Sequence, residues 1–326
     1  MKILAVDDNL ITLRLLKVLA ERAGFRDIVT ATSGEIALDM INKGNVIFDC
    51  LLLDISMPAI NGIELCGLVR AIPNYNKTPI IMLTAMKDKN NIDSAFIAGA
   101  TDYATKPFDI VELNARLRSA ETMVNTKKIN LKEGCAEKEQ SKVDVNQNQI
   151  LDLSEEVQIE GIDGLIEYDI FRNYIAQLSR AGLAGSQVIA VKIDQIDIIY
   201  AKASPDEFLY AVTEVADTIS DTIKTNGYMM AYAGNGIFLV VSNKASMESS
   251  VSIEAEIQNL IDERDTEYDN SDPLDIEISI GNPIRPSFNK SQQIRKTFAR
   301  AIARAESRAL RKKNESRLPN IRLVKK

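Results

Sequence analysis

The sequence predicts two α/β units in series. The first is a doubly wound parallel sheet over residues 1–123, and the second an α+β layer with an antiparallel sheet over residues 159–312. Three observations carry this. In the first stretch, apolar runs such as Leu51-Leu52-Leu53 are short and continuous and alternate with helical patterns, as expected for a parallel sheet covered on both faces. Between Asn125 and Gln149, Lys, Glu, Gln, Asn, Asp and Ser dominate, which is linker composition. Beyond it, Asn235-Gly236 separates two β-rich runs, and this pair suits the type I′ hairpin turn, which needs positive φ at both central positions.

Taken in order, the first unit reads as five βα repeats. Strands are expected at Ile3–Val6, Ile28–Thr30, Phe48–Leu53, Pro79–Leu83 and Tyr103–Thr105. Helices are expected at Ile11–Ala23, Gly34–Asn42, Ile63–Val69, Ile92–Ala98 and Ile110–Met123. Residues 124–158 form the linker, helical at its start. The second unit reads as helix Phe171–Ala181 stopped by Gly182, strand Val188–Ile193, helix Glu207–Lys224 and a hairpin of Tyr228–Ala233 with Ile237–Ser242. Helix Met247–Arg264, alternating strand Asp275–Gly281 and helix Ser291–Arg311 follow. Met229 and Met230 are expected in the sheet core. Arg295, Lys296, Arg300 and Arg304 are expected on a solvated helix face.

Composition removes several chemistries. The 326 residues include no histidine, which excludes Ser-His-Asp and Cys-His catalysis and imidazole metal ligands within this chain. Three scattered cysteines, Cys50, Cys66 and Cys135, form no CxxC pair and fit a reducing, cytoplasmic setting. No apolar run of about 18 residues is present, so no membrane span is expected. Net charge is −7. The basic tail, 313–326, reads as a solvated end, and no nucleic-acid partner is expected of it.

Charged and polar residues gather where the parallel strands end. Asp7 and Asp8 follow the first strand, Asp54 the third, Thr84 the fourth and Lys106 the fifth. Open parallel sheets bind ligands at these carboxyl ends. Three carboxylates there suit Mg²⁺, which takes carboxylate, water and phosphate oxygens. Lys106 supplies a compensating charge. A carboxylate can itself act as a nucleophile and become an aspartyl phosphate, and Asp54 is the natural candidate.

On these residues the first unit resembles the receiver domain of two-component response regulators. The matching stretches are Val6-Asp7-Asp8, Asp54-Ile55-Ser56-Met57-Pro58 with Gly62, Leu83-Thr84-Ala85, Asp102-Tyr103 and Lys106-Pro107-Phe108. The resemblance implies phosphorylation of Asp54 by a partner histidine kinase or phosphotransfer protein. It implies Mg²⁺ held by Asp8, Asp54 and the Ser56 carbonyl, with Asp7 assisting. It also implies that Thr84 and Lys106 grip the phosphoryl group while Tyr103 rotates inward. Repacking near the fourth helix and fifth strand is then expected to favour a homodimer.

The second unit resembles, patch by patch, the GGDEF domain of diguanylate cyclases. Residues 160–171 sit on that family's opening motif, and Val191–Asp194 on its first metal-bearing strand. Gly234-Asn235-Gly236-Ile237-Phe238 stands where the family reads GGDEF, and Ile278-Ser279-Ile280-Gly281 matches a late strand. The departures point away from catalysis. Gly236 and Ile237 replace the two acids of the signature, and an isoleucine offers a cation no ligand atom. Ile196 occupies the register of the second metal-binding aspartate. Neither residue of the Arg-x-x-Asp product-inhibition motif is present at 225–228. Asp194 and Asp206 remain as candidate nucleotide contacts, with helix capping the simpler role for Asp206. The expected output is therefore a non-enzymatic, degenerate cyclase-like domain acting on an unidentified downstream protein. The alternatives are a module that senses GTP or cyclic di-GMP, or a residual diguanylate cyclase.

Overall fold

The computed structural model describes residues 1–85, 89–140, 153, 159, 161–178, 185–224, 227–242, 249–264, 266–286 and 291–317. The chain divides into two compact units, Met1–Gln147 and Asn148–Lys326.

The first unit is a five-stranded parallel sheet. Its strands are β1 (Ile3–Val6), β2 (Ile28–Ala31), β3 (Cys50–Asp54), β4 (Ile80–Thr84) and β5 (Asp102–Thr105). They lie in the order β2-β1-β3-β4-β5. The connecting helices are α1 (Leu10–Arg22), α2 (Gly34–Asn42), α3 (Gly62–Arg70), α4 (Lys89–Ile97) and α5 (Ile110–Gln140). β1, β3 and β4 are buried at every position, as their unbroken apolar runs require. Leu13, Leu16, Leu19 and Ala20 form the buried stripe of α1. Burying each large aliphatic side chain stabilises the fold by about 1.5–3 kcal/mol. Asn9, Ser33 and Asn61 cap α1, α2 and α3 through their side-chain oxygens, which fixes the loops leaving β1, β2 and β3. The strand order reverses on either side of β1, so a crevice opens beyond the carboxyl ends of β1 and β3.

The stretch after Met123 is helical at its start, as expected: the last helix of this unit is continuous with it and runs on to Gln140. Past Val124 the apolar stripe weakens, so periodicity gives no signal. Strong helix formers (Lys, Glu, Ala, Gln) carry it on instead.

The second unit is an antiparallel sheet with helices. Its strands are β6 (Gln187–Ile193), β7 (Tyr228–Tyr232), β8 (Ile237–Ser242) and β9 (Ile278–Ile280), in the order β7-β8-β6-β9. The helices are α6 (Tyr168–Gln177), α7 (Ile196–Lys202), α8 (Pro205–Ile223), α9 (Ser250–Glu263) and α10 (Ser291–Arg317). The core brings Phe208, Val212, Val215 and Ile219 of α8 and Ile257 of α9 onto Met230, Phe238 and Val240 of the sheet. Met229 and Met230 are both buried, as expected.

Four differences from the expected elements have local causes. The short helix α7 has no counterpart among the expected elements, since seven residues are too few to establish a period. Helix α6 starts at Tyr168 and ends at Gln177; the proposed stop at Gly182 lies outside the described residues. Helix α9 begins after the cap Ser249, and Met247 lies outside the described residues. Of 275–281, only Ile278–Ile280 pairs as strand, although Ile276 is buried with them. Arg304 also departs from the solvated face expected of it, donating to the carbonyls of Asn282 at 3.0 Å and Pro283 at 2.7 Å. Among the described residues, no helix is long and apolar enough to cross a membrane.

Candidate functional site

At the β1/β3 crevice, Asp7 directly follows β1 and is fully buried, and Asp8 beside it is exposed. Asn9, while capping α1, donates its backbone N–H to Asp7 Oδ1 at 2.9 Å. Asp54 ends β3 with its side chain 5% exposed. Carboxylate oxygens of Asp7, Asp8 and Asp54 all lie within 4.8 Å of one another. Such crowding of like charge is unfavourable unless a cation joins it. The residues thus fit a hard, oxygen-seeking divalent ion.

Lys106 supplies the cation already present. It follows β5, and its backbone N–H donates to the Thr84 carbonyl at 2.7 Å. Its ammonium lies 2.7 Å from Asp7 Oδ2 and 2.9 Å from Asp54 Oδ1. Burial pushes the Asp54 carboxyl above its ordinary range, against the pull of Lys106 and the Ser56 backbone N–H. Burial alone would lower Lys106, but its bonds to Asp7 and Asp54 outweigh this and hold it above the usual lysine value. Thr84 ends β4 and is buried, with Leu83 in register with Asp54 and Thr84 with Thr105. Asp7, Asp8, Asp54, Thr84 and Lys106, distant in sequence, therefore converge on one strand end. Ser56 is exposed and meets Asp54 through its backbone N–H.

Tyr103 is buried, 8% exposed. It meets Phe96 edge-on at 6.3 Å, and the Arg116 guanidinium lies 5.7 Å from its centroid. Arg116 in turn bonds to Asp102 at 2.9 and 3.1 Å and to Glu112 at 2.5 Å. Sequence reasoning missed Arg116 and its partners. The available signal was Glu112 and Arg116 at i,i+4 on an expected helix.

In the second unit, the Asn235-Gly236 turn forms as expected. Both residues have positive φ, 53° and 69°, and the Ile237 N–H donates to the Gly234 carbonyl at 3.0 Å. Ile237 and Phe238 are buried in the sheet. A Cβ on Gly236 would lie 2.9 Å from Ile196, so the turn presses directly on α7. An apolar contact thus fills the space beside the turn. Asp194, after β6, is 8% exposed and accepts from Ser279 Oγ at 2.7 Å. Asp206 lies in the first turn of α8, but the cap is Ser204, in a capping box with Glu207. The capping role expected for Asp206 is therefore corrected: Ser204 precedes the Pro205 that begins the helix, and its side chain reaches the Glu207 N–H at 3.2 Å.

Comparison with known proteins bears on the first unit. The family described as "Response regulator receiver domain" matches residues 3–118. The transcriptional regulatory protein YvrH of Bacillus subtilis (strain 168) is 38% identical over 117 residues, 36% of this chain and 47% of that protein. The transcriptional regulatory protein CpxR of Escherichia coli (strain K12) is 42% identical over 118 residues, 36% of this chain and 48% of that protein. This chain thus spans about half the length of those two regulators. The chemotaxis protein CheY of Pseudomonas aeruginosa is 37% identical over 125 residues, 38% of this chain and 99% of CheY. Five parallel strands, the acidic crevice with its lysine, and near-complete coverage of CheY agree: through its N-terminal unit, the chain belongs to the CheY-like receiver family of two-component response regulators.

Proposed function

We propose that this chain is the response regulator of a two-component phosphorelay, in which Asp54 takes a phosphoryl group from a histidine kinase or phosphotransfer protein. The observation that carries this is the Asp54 carboxylate held at 2.9 Å by Lys106, within reach of Asp7 and Asp8. An Asp54 carboxylate oxygen attacks phosphorus, the new P–O bond forms as the donor's N–P bond breaks, and the electron pair leaves with the donor imidazole. Asp7, Asp8 and Asp54 would hold Mg²⁺, which supplies charge neutralisation to the phosphoryl oxygens. Lys106 pairs with the product's added negative charge, and Thr84 donates to one of its oxygens.

The second unit is a degenerate, non-catalytic GGDEF-like output acting through protein contacts, with phosphorylation favouring a homodimer. Ile237 supports this reading: it stands where a cyclase needs a metal-binding acid, and it is packed in the sheet. The chain is incubated with Mg²⁺, a small phosphoryl donor and labelled GTP. Acid-labile phosphate that Asp54→Asn abolishes, with no cyclic dinucleotide formed, is the expected result. Cyclic dinucleotide above an Asp194→Ala control would make the second unit an enzyme. Acid-labile phosphate that survives Asp54→Asn would move the phosphoacceptor elsewhere.

A further inference from the structure

The loop that leaves Asp54 depends on its neighbours for its shape. It spans residues 55–61 and ends where Gly62 begins α3. Ser56, Pro58 and Ala59 are exposed, and Pro58 has no N–H to donate. The Ile55 carbonyl accepts from the Met57 N–H at 3.3 Å and from the Gly62 N–H at 3.1 Å. Ala59 has a φ of 59°, a left-handed conformation that costs a residue with a Cβ about 1–2 kcal/mol. A strained, exposed loop keeps one shape only where its surroundings fix it.

Two anchors fix this one. Met57 is buried. Ile60 is half-buried and lies against the start of α2. A Cβ on Gly34, the first residue of that helix, would sit 2.9 Å from both the Cβ and the carbonyl oxygen of Ile60. Neither atom can swing away by a change of rotamer, so a larger residue at 34 must displace the backbone of the loop. Beside Gly34, the exposed Glu35 carboxyl is held below its ordinary range by the Ser33 hydroxyl first, and also by its own backbone N–H and that of Ile60. The same loop carries Ser56, whose backbone N–H reaches the Asp54 carboxylate. Displacement of the loop is therefore felt at the carboxylate that, with Asp7 and Asp8, fits a divalent ion.

We propose that the first turn of α2 positions the acidic site: Gly34 and Glu35 seat Ile60, and through the loop they keep Ser56 bonded to Asp54 and the three carboxylates set for Mg²⁺. On the phosphorelay reading of Asp54, on which this rests, both are positioning residues, since neither supplies an oxygen to the three-carboxylate convergence.

The test is calorimetric titration of the full chain with Mg²⁺, paired with the rate of labelling by acetyl phosphate at rising Mg²⁺. Gly34→Ala should weaken Mg²⁺ binding about tenfold, as loss of other supporting contacts around metal ligands does. The Mg²⁺ concentration for half-maximal labelling should rise by the same factor, with the maximal rate little changed. Gly67→Ala, in α3 with open space around it, is the control and should match the parent in both. Melting curves show whether each variant folds. If Gly34→Ala unfolds, Glu35→Ala, on an exposed side chain, still decides: Mg²⁺ binding should fall several-fold, and Glu35→Gln, which keeps an accepting oxygen, should restore most of it. Unchanged Mg²⁺ affinity in a folded Gly34→Ala chain, or in Glu35→Ala where Gly34→Ala unfolds, overturns the proposal. A parent that binds Mg²⁺ but takes up no phosphoryl group overturns the phosphorelay reading, and the calorimetry still decides the positioning. A parent that binds no Mg²⁺ overturns the positioning whatever the labelling shows.

Discussion

Gly62 lies against the backbone of Asp54: a Cβ on Gly62 would sit 2.1 Å from the Asp54 carbonyl oxygen and 2.7 Å from its carbon. The Gly62 N–H also donates to the Ile55 carbonyl at 3.1 Å. The start of α3 is thus seated on the strand end that carries Asp54. Gly62→Ala forces that backbone apart. The expected cost is about 1–3 kcal/mol, as for other overpacked sites, together with slower phosphoryl acceptance. Urea unfolding and the rate of labelling by a small phosphoryl donor check both parts.

Asp54 gives a pH signature. Its carboxyl is held above the ordinary value, chiefly by burial. A group raised on folding contributes stability below its unfolded value and loses it as pH rises through the folded one. In a chelator, Asp54→Asn should therefore be more stable than the parent at pH 7, and the gap should close as the pH falls through the carboxylate range. Added Mg²⁺ should raise the parent and not the variant. Urea midpoints across pH decide this; a gap that widens on acidification has the wrong sign.

Tyr103 should titrate late. Burial pushes its phenol up to about 12, with Arg116 pulling against it and Asp102 adding to it. The ultraviolet phenolate signal of the parent minus that of Tyr103→Phe is expected to have its midpoint near that value. A midpoint near an ordinary tyrosine's would place the ring outside the protein interior.

Glu254 is buried in the second unit and is held by Arg308. The guanidinium reaches it from Nη2 at 2.7 Å and from Nε at 3.1 and 3.2 Å, and Ile280 N–H adds a bond at 2.8 Å. Arg308→Met leaves that carboxylate without its cation, at an expected cost of about 3 kcal/mol to the second unit. Glu254→Met in the same chain should recover most of the loss, because no buried charge is then left unpaired. Denaturant melts of the two variants test this.

Much of this was legible in the sequence, for identifiable reasons. Val6-Asp7-Asp8, Asp54, Thr84 and Lys106 stand directly after short apolar runs. Runs of that length, bounded by polar residues and alternating with helical patterns, read as buried strands, so their ends converge. Asn235-Gly236 needed positive φ at both residues and has it. The extension of α5 to Gln140 left no periodic trace, because its stability there comes from propensity. Helix α7 was too short to show a period.

By itself, the sequence determined the five parallel βα repeats, the placing of Asp7, Asp8, Asp54 and Lys106 at strand ends and the antiparallel hairpin. Each follows from local rules of periodicity, turn geometry and residue chemistry. Only the tertiary structure decided how Lys106 divides itself between Asp7 and Asp54, that Tyr103 is buried beside Arg116, that Ser204 rather than Asp206 caps α8, and that Asp194 keeps one buried oxygen without a donor among the described residues. These depend on distances between residues far apart in the chain and on the loss of water around them. Neither quantity exists until the elements have packed.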